Sequence, residues 1–282
     1  MNKLYIIEKI KEELGNGFTA EYIDVAKDNG TQNGIRVAKE GSNISPVIYY
    51  NSNEDDDTIV RRVIKVYKES AEPGIDADEL SKNMLDWNWA KDRIYPRLYN
   101  KVASTYKDLY SVDFAGDVSV MFYIQLNTSV GKGMIKVTNQ IADAWDIPKS
   151  EIMFHAKDNL NRVLVVDDMN NVVMQIMFGG NDHNKRYVKV GDMMTVMTIL
   201  DKTHGAAAML LVEDLINNGE LVCQDYYFLP SSVHEVIMLN EYDECFKEMV
   251  GRVNATEVAP ADVLSNSVFK YDHTTRKFEV MM

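Results

Sequence analysis

Ser231, Ser232, His234 and Glu235 fall within one run, Phe228-Leu229-Pro230-Ser231-Ser232-Val233-His234-Glu235-Val236, where potentially reactive side chains are densest. A hydroxyl, an imidazole and a carboxylate are the parts of a hydrolase that attacks through an activated serine. If residues 233–239 form a strand, alternation puts Ser232 and His234 on one face and aims Glu235 at the other, so Glu235 does not orient the ring. Ser232 and His234 are then the catalytic pair of a hydrolase reading. The competing reading is turn chemistry: serines after Pro230 satisfy turn amides and open a strand. The chain has no Gly-x-Ser-x-Gly elbow, and the balance lies against an enzyme.

Other chemistry is thinner. The histidines at 155, 183, 204, 234 and 273 are scattered, with no His-Glu-x-x-His and no Cys-x-x-Cys pattern, so no metal site is expected. His155 reads as a partly buried helix residue and His204 as the more exposed one. Asp167-Asp168 reads as the end of a hairpin, where carboxylates are ordinary turn residues. Residues 128–133 lack Walker spacing, and Gly179-Gly180-Asn181-Asp182 lacks a following helix pattern, so no nucleotide cofactor is expected. Met174, Met177, Met193, Met194 and Met197 sit in strand-like stretches and read as gap-filling core, with an adaptable binding groove as the minor alternative.

The chain has 282 residues, enough for one large core or two modest ones. Hydrophobic content of 46% with 26% charged residues is that of an ordinary folded protein. No apolar run reaches the roughly 20 residues of a membrane span, and residues 1–14 lack the uninterrupted apolar core of a signal peptide. Two cysteines in a chain this long make no disulfide framework. A soluble, cytoplasmic protein is expected, without membrane association.

The net charge of -13 argues against a phosphate-tracking groove. Acidity is concentrated late: between Glu213 and Asp262 eleven carboxylates face only Lys247 and Arg252. One reading is a solvated surface that aids solubility. The other is a face for a basic protein partner, with Glu213, Asp214, Asp243, Glu244 and Glu248 as binding residues. A nucleic-acid mimic is disfavoured because the first 160 residues are nearly balanced in charge.

Patterning predicts the elements that hold these groups. Leu4, Ile7, Ile10 and Leu14 predict a helix stopped by Gly15. Residues 19–26, 34–39 and 44–50 predict an antiparallel meander with turns at Asp28-Asn29-Gly30 and Glu40-Gly41-Ser42-Asn43. The acidic run 53–57 reads as the capped start of a helix, not a metal site. Pro73-Gly74 ends that helix, and residues 75–107 read as a helical connection between lobes 1–74 and 108–282.

In the second lobe, residues 110–114 and 118–126 predict paired strands. Thr138 or Asn139 caps one helix, and Pro148 opens another. Residues 162–167 and 172–178 predict a hairpin around Met169-Asn170-Asn171, and 193–200 a further strand. Gly205 opens a helix ending near Gly219. Residues 241–253 predict a helix that buries Cys245, and 267–271 with 277–281 a closing hairpin. Strands and helices without strict alternation argue an α+β fold, with an N-terminal meander and then a larger mixed or antiparallel sheet.

Several segments resemble an uncharacterised family, DUF5688, associated with gut Clostridia and their relatives. They are Asn43-Ile44-Ser45-Pro46-Val47-Ile48-Tyr49, Ile135-Lys136-Val137-Thr138-Asn139, Phe228 to Val236, Asn254-Ala255-Thr256-Glu257-Val258 and Val263-Leu264-Ser265. The chain departs from the family pattern between Asn100 and Asp113. The resemblance implies a shared fold and a bacterial origin, and it implies no activity, substrate or cofactor. The expectation is a macromolecule-binding protein, such as a regulator or inhibitor from a mobile genetic element. The alternatives are the Ser232/His234 hydrolase and a structural domain of a larger assembly.

Overall fold

The computed structural model describes residues 2–27, 30–40, 45–50, 53–70, 77–106, 108–128, 131–179 and 183–281. Asp28-Asn29, Gly41 to Asn43 and Pro73-Gly74, assigned to turns or a helix end above, lie outside them, as do Ser129-Val130 and Gly180 to Asp182 of the two stretches read for nucleotide-binding spacing.

Helix α1 (Lys3–Leu14) starts where the Asn2 side chain accepts the Tyr5 amide and ends at Gly15, whose φ of 87° favours glycine. Strands β1 (Phe18–Lys27), β2 (Gly30–Lys39) and β3 (Val47–Tyr49) form the expected antiparallel meander. Helix α2 (Asp56–Ser70) follows. The Asp55 carboxylate accepts the Thr58 amide at 2.9 Å and its hydroxyl at 2.6 Å, which is helix capping. Ile6, Ile10, Ile35, Val37, Ile59 and Val63 belong to one apolar cluster whose buried members, among the described residues, all lie at or before Tyr67.

Helices α3 (Ala77–Met84) and α4 (Trp87–Ala90) occupy only part of the expected helical connection, which is corrected by strand β4 (Ile94–Asn100). Ile94, Pro96 and Leu98 alternate inward with period two, and β4 is an edge strand, where a proline removes no ladder bond. Strands β5 (Ser111–Ala115), β6 (Val118–Thr128) and β7 (Gly131–Lys136) complete this sheet, with β6 between β4 on one side and β5 and β7 on the other. Thr138 caps α5 (Asn139–Trp145), and α6 (Lys149–Arg162) opens after Pro148. Buried Asn159 donates to the carbonyls of Lys91 and Ile94 at 2.8 and 2.9 Å, clamping α6 to the start of β4.

The rest of the chain builds a seven-stranded sheet. In chain order come β8 (Leu164–Asp168), α7 (Met169–Phe178), β9 (Tyr187–Val188), β10 (Met194–Ile199), a 3-10 turn at Gly205–Leu211, and α8 (Val212–Asn217). Strands β11 (Tyr226–Pro230) and β12 (Val236–Leu239), helix α9 (Cys245–Thr256), a 3-10 turn at Pro260–Asp262, and strands β13 (Phe269–Asp272) and β14 (Lys277–Val280) follow. The strand order is β14-β13-β11-β12-β10-β8-β9, antiparallel except for β8 with β9. The fold is α+β, and no helix among the described residues is long and apolar enough to cross a membrane.

Three local readings are corrected here. Residues 169–178 are helix α7 and not a hairpin arm, because the Asp168 side chain accepts the Asn170 amide and caps a helix where Asn170-Asn171 suggested a turn. Helix α9 begins only at Cys245, whose amide is capped by Asp243 at 2.8 Å, so Cys245 is exposed and the buried face falls on Val250 and Asn254. Four of the five methionines assigned to core (Met174, Met177, Met193 and Met194) are exposed, and only Met197 is fully buried.

Candidate binding site

The loop that joins β11 to β12 holds residues 231–235, so Ser232, His234 and Glu235 are not on a strand and the two-face argument does not apply to them. The loop is tied by its own polar groups. Ser232 Oγ accepts the His234 amide at 3.0 Å, and the Ser231 hydroxyl donates to Glu235 at 3.2 Å. His234 Nδ1 accepts the His204 amide at 3.1 Å, while Nε2 stands 3.5 Å from Asp262 Oδ1. The two imidazoles of His204 and His234 stack with centroids 5.3 Å apart. A base acting on Ser232 needs a ring lone pair aimed at the hydroxyl; the Nδ1 pair is engaged by a backbone amide, and the bonds around Ser232 are those of a turn.

The stronger constellation lies one strand away, and the sequence reading passed over it. In β8 and β10 the pairs Val165 with Thr198 and Asp167 with Val196 share one face by register, whereas Leu164, Val166, Met197 and Ile199 join the main core. Asp167, taken above for a turn residue, is 2% exposed. Its carboxylate accepts from Asn171 at 3.0 Å, Gln175 at 3.3 Å and His183 Nε2 at 2.9 Å. The His183 ring in turn stacks on Tyr187, centroid to centroid 3.9 Å. One buried carboxylate therefore holds both α7 and the segment beyond it against the sheet. Between them is a cavity of about 310 Å³, floored by valines and edged by His183, Lys202 and Glu235. Glu235 thus carries the loop 231–235 to the mouth of this cavity.

Helix α7 has no buried residue. Its polar side chains Asn171 and Gln175 turn inward to Asp167, Val172 and Ile176 border the cavity, and the other large apolar ones are exposed: Phe178 by 72%, Met177 by 68% and Met174 by 57%. This reverses the usual amphipathic arrangement, in which the apolar stripe faces the core. Thr195 pairs with Asp168, which brings exposed Met193 and Met194 beside the first turn of α7. Asn240 donates to the Asp192 carbonyl at 3.0 Å, so the acidic stretch containing Glu241, Asp243 and Glu244 starts next to these methionines. Exposed Lys185 and Lys189 lie on the β9 side.

The late acidic residues divide into two groups. Glu213 pairs with Arg276 at 3.2 Å, Asp214 with Lys157 at 2.7 Å, and Glu220 with Arg186 at 2.6 Å. Asp243 caps α9, and it, Glu244 and Glu248 are exposed. Of the five nominated binding residues, the structure thus brings Asp243, Glu244 and Glu248 together on the start of α9 and places Glu213 and Asp214 elsewhere, in ion pairs with basic side chains of the same chain.

Asp225 belongs to a further network, accepting from Lys270 at 2.8 Å and from the His273 ring at 2.6 Å. Lys270 first, then His273, holds its carboxyl well below the usual carboxylate range. A depressed folded-state value contributes stability that is complete above the unfolded value of about 3.9 and is lost as pH falls through the folded one. Lys270→Met is therefore expected to destabilise the protein at neutral pH, with the gap to wild type closing as the solution is acidified. Urea midpoints followed from neutral into acid pH check this, and a gap independent of pH would contradict it.

Among the described residues, no three His, Cys, Asp or Glu side chains gather to hold a metal ion. Fold and site together define an α+β protein with a helix-covered cavity near the edge of a seven-stranded mixed sheet. The chain belongs to a family of unknown function, DUF5688, whose model matches residues 3–273. No curated protein and no solved structure matches it.

Proposed function

We propose that the protein is a macromolecule-binding module whose contact centre is the outward face of α7 together with Met193 and Met194. The observation that carries this reading is the reversed polarity of α7, with Asn171 and Gln175 inward and Met174, Met177 and Phe178 exposed. Contiguous exposed apolar side chains mark interaction surfaces, whereas single ones do not, and methionines adapt to varied partners. The carboxylates from Glu241 to Glu248 border the patch and favour a basic partner segment with an apolar stripe, chiefly through steering and register. The net charge of -13 favours such a protein segment over nucleic acid. Regulation or inhibition by covering a partner's basic helix is the activity that such a surface supports. Free Cys223 and Cys245, both exposed, suit a reducing, cytoplasmic compartment.

Fluorescence anisotropy with a labelled amphipathic Lys/Leu helix, compared with a Glu/Leu helix of the same pattern, tests the reading. The basic peptide is expected to bind in a salt-sensitive way, and Met177→Ser with Phe178→Ser is expected to weaken it about tenfold or more, as for central interface anchors. Equal binding of both peptides, or an unaffected double variant, would sink the proposal. Covalent labelling by a fluorophosphonate that disappears in Ser232→Ala would instead favour the hydrolase reading.

A further inference from the structure

Helix α7 keeps its place without the help of its exposed apolar side chains. Asn171 and Gln175 fasten it to Asp167, and none of its residues is buried. Four of the side chains on or beside its outer surface are methionines: Met174 and Met177 on the helix, and Met193 (77% exposed) and Met194 (40% exposed) next to its first turn. Met121, Met197, Met209 and Met238 are fully buried. An oxidant arriving from solvent therefore reaches the patch and not the core. Of the apolar side chains on this surface, the thioethers are the ones that a reversible covalent step turns polar.

We propose that Met174, Met177, Met193 and Met194 form a modification site, at which hydrogen peroxide converts thioether to sulfoxide and so weakens docking on α7. The effect requires α7 to be the contact centre, and so rests on that reading. In the step the sulfur attacks one peroxide oxygen, an S–O bond forms and the O–O bond breaks. The proton on the transferred oxygen passes to the departing hydroxide, which leaves as water; sulfur loses two electrons and the peroxide gains them. The product brings a polar oxygen to the middle of an apolar contact, where an acceptor without a donor is costly to bury. The fold is spared, because the carboxylate and amides that fasten α7 are unchanged by peroxide and the core methionines stay covered. Two thiols of a methionine sulfoxide reductase reverse the change, ending as a disulfide while the oxygen leaves as water.

The test uses the full chain carrying Cys223→Ser and Cys245→Ser, because both thiols are exposed and react with peroxide themselves. After limited peroxide treatment, peptide mass spectrometry is expected to find added oxygen at Met174, Met177, Met193 and Met194 ahead of Met121, Met197, Met209 and Met238. Anisotropy with the labelled Lys/Leu helix is expected to show affinity about tenfold weaker than before treatment, with an unchanged thermal melt. Sulfoxide reductase with dithiothreitol should restore the affinity. A variant combining Met174→Leu, Met177→Leu, Met193→Leu and Met194→Leu, whatever its own starting affinity, should lose none of it to peroxide, although exposed Met134 and Met249 remain oxidisable. Equal affinity before and after treatment would overturn the modification site and leave α7 as the contact surface, whereas no helix binding before treatment would overturn both. Oxygen spread evenly over exposed and buried methionines with a lowered melt would also overturn it, since binding would then be lost with the fold. So would a combined variant that peroxide still weakens.

Discussion

Replacing Asp167 with alanine is expected to destabilise the protein by about 3 kcal/mol and to release α7 from the sheet before the rest of the fold unfolds. The carboxylate is 2% exposed and accepts from three side chains, Asn171, Gln175 and His183. Without it, two amides and an imidazole lose the acceptor they share. Helix α7 has no buried apolar side chain to hold it in its absence. Hydrogen exchange should therefore show the amides of 170–178 opening in the variant while those of β6 and β11 stay protected. Asp167→Asn keeps one acceptor oxygen and should recover part of the loss. Unchanged protection of α7 in Asp167→Ala would mean that other contacts hold the helix.

Gly205→Ala is expected to cost a similar amount, about 3 kcal/mol, by a different route. A Cβ built on Gly205 falls onto Thr198 Oγ1 and lies 2.6 Å from the His234 carbonyl oxygen and 2.7 Å from the Ile199 amide nitrogen. Two of these three atoms are backbone, so relief requires strand β10 or the loop 231–235 to move. That movement breaks the Thr198 to His234 hydrogen bond and the Ala206 to Val233 bond beside it. Gly251, inside α9 with nothing within 4 Å of an added Cβ, is the contrast. Gly251→Ala should stabilise by about 0.5 kcal/mol, the ordinary helix preference for alanine. Chemical denaturation of both variants checks the pair, and a Gly205→Ala midpoint equal to wild type would contradict the close packing.

Both sites show where local sequence signals suffice and where they do not. The meander, the Thr138 cap and the closing hairpin were legible because turn and cap residues act on their immediate neighbours. Strand β4 was missed inside the stretch 75–107 read as a helical connection, although Ile94, Pro96 and Leu98 carry period two. Helix α7 was missed because Asp168-Met169-Asn170-Asn171 carries turn chemistry and helix-cap chemistry equally well. A signal was present: Asn171 and Gln175 are four apart, as are Val173 with Met177 and Met174 with Phe178, which is helical spacing with a polar and an apolar stripe. Nothing in that spacing says which stripe faces inward. The answer depends on Asp167 being buried, and that follows from its register with Val196 in β10, a non-local fact.

The run from Phe228 to Val236 also changes in meaning. Its serines close a turn, its histidine ring accepts a backbone amide, and its glutamate edges the cavity. The late acidic surface changes too: Glu213 and Asp214 pair within the chain, which leaves the start of α9 as the acidic border of the patch.

The most direct measurement is site-specific photo-crosslinking with the labelled Lys/Leu helix, comparing a photoreactive side chain at position 177 on α7 with one at exposed position 11 on α1. The account predicts a crosslink from position 177 that salt suppresses, and none from position 11. Equal yields from the two positions, or a crosslink from position 11 alone, would contradict the assignment of α7 as the contact surface.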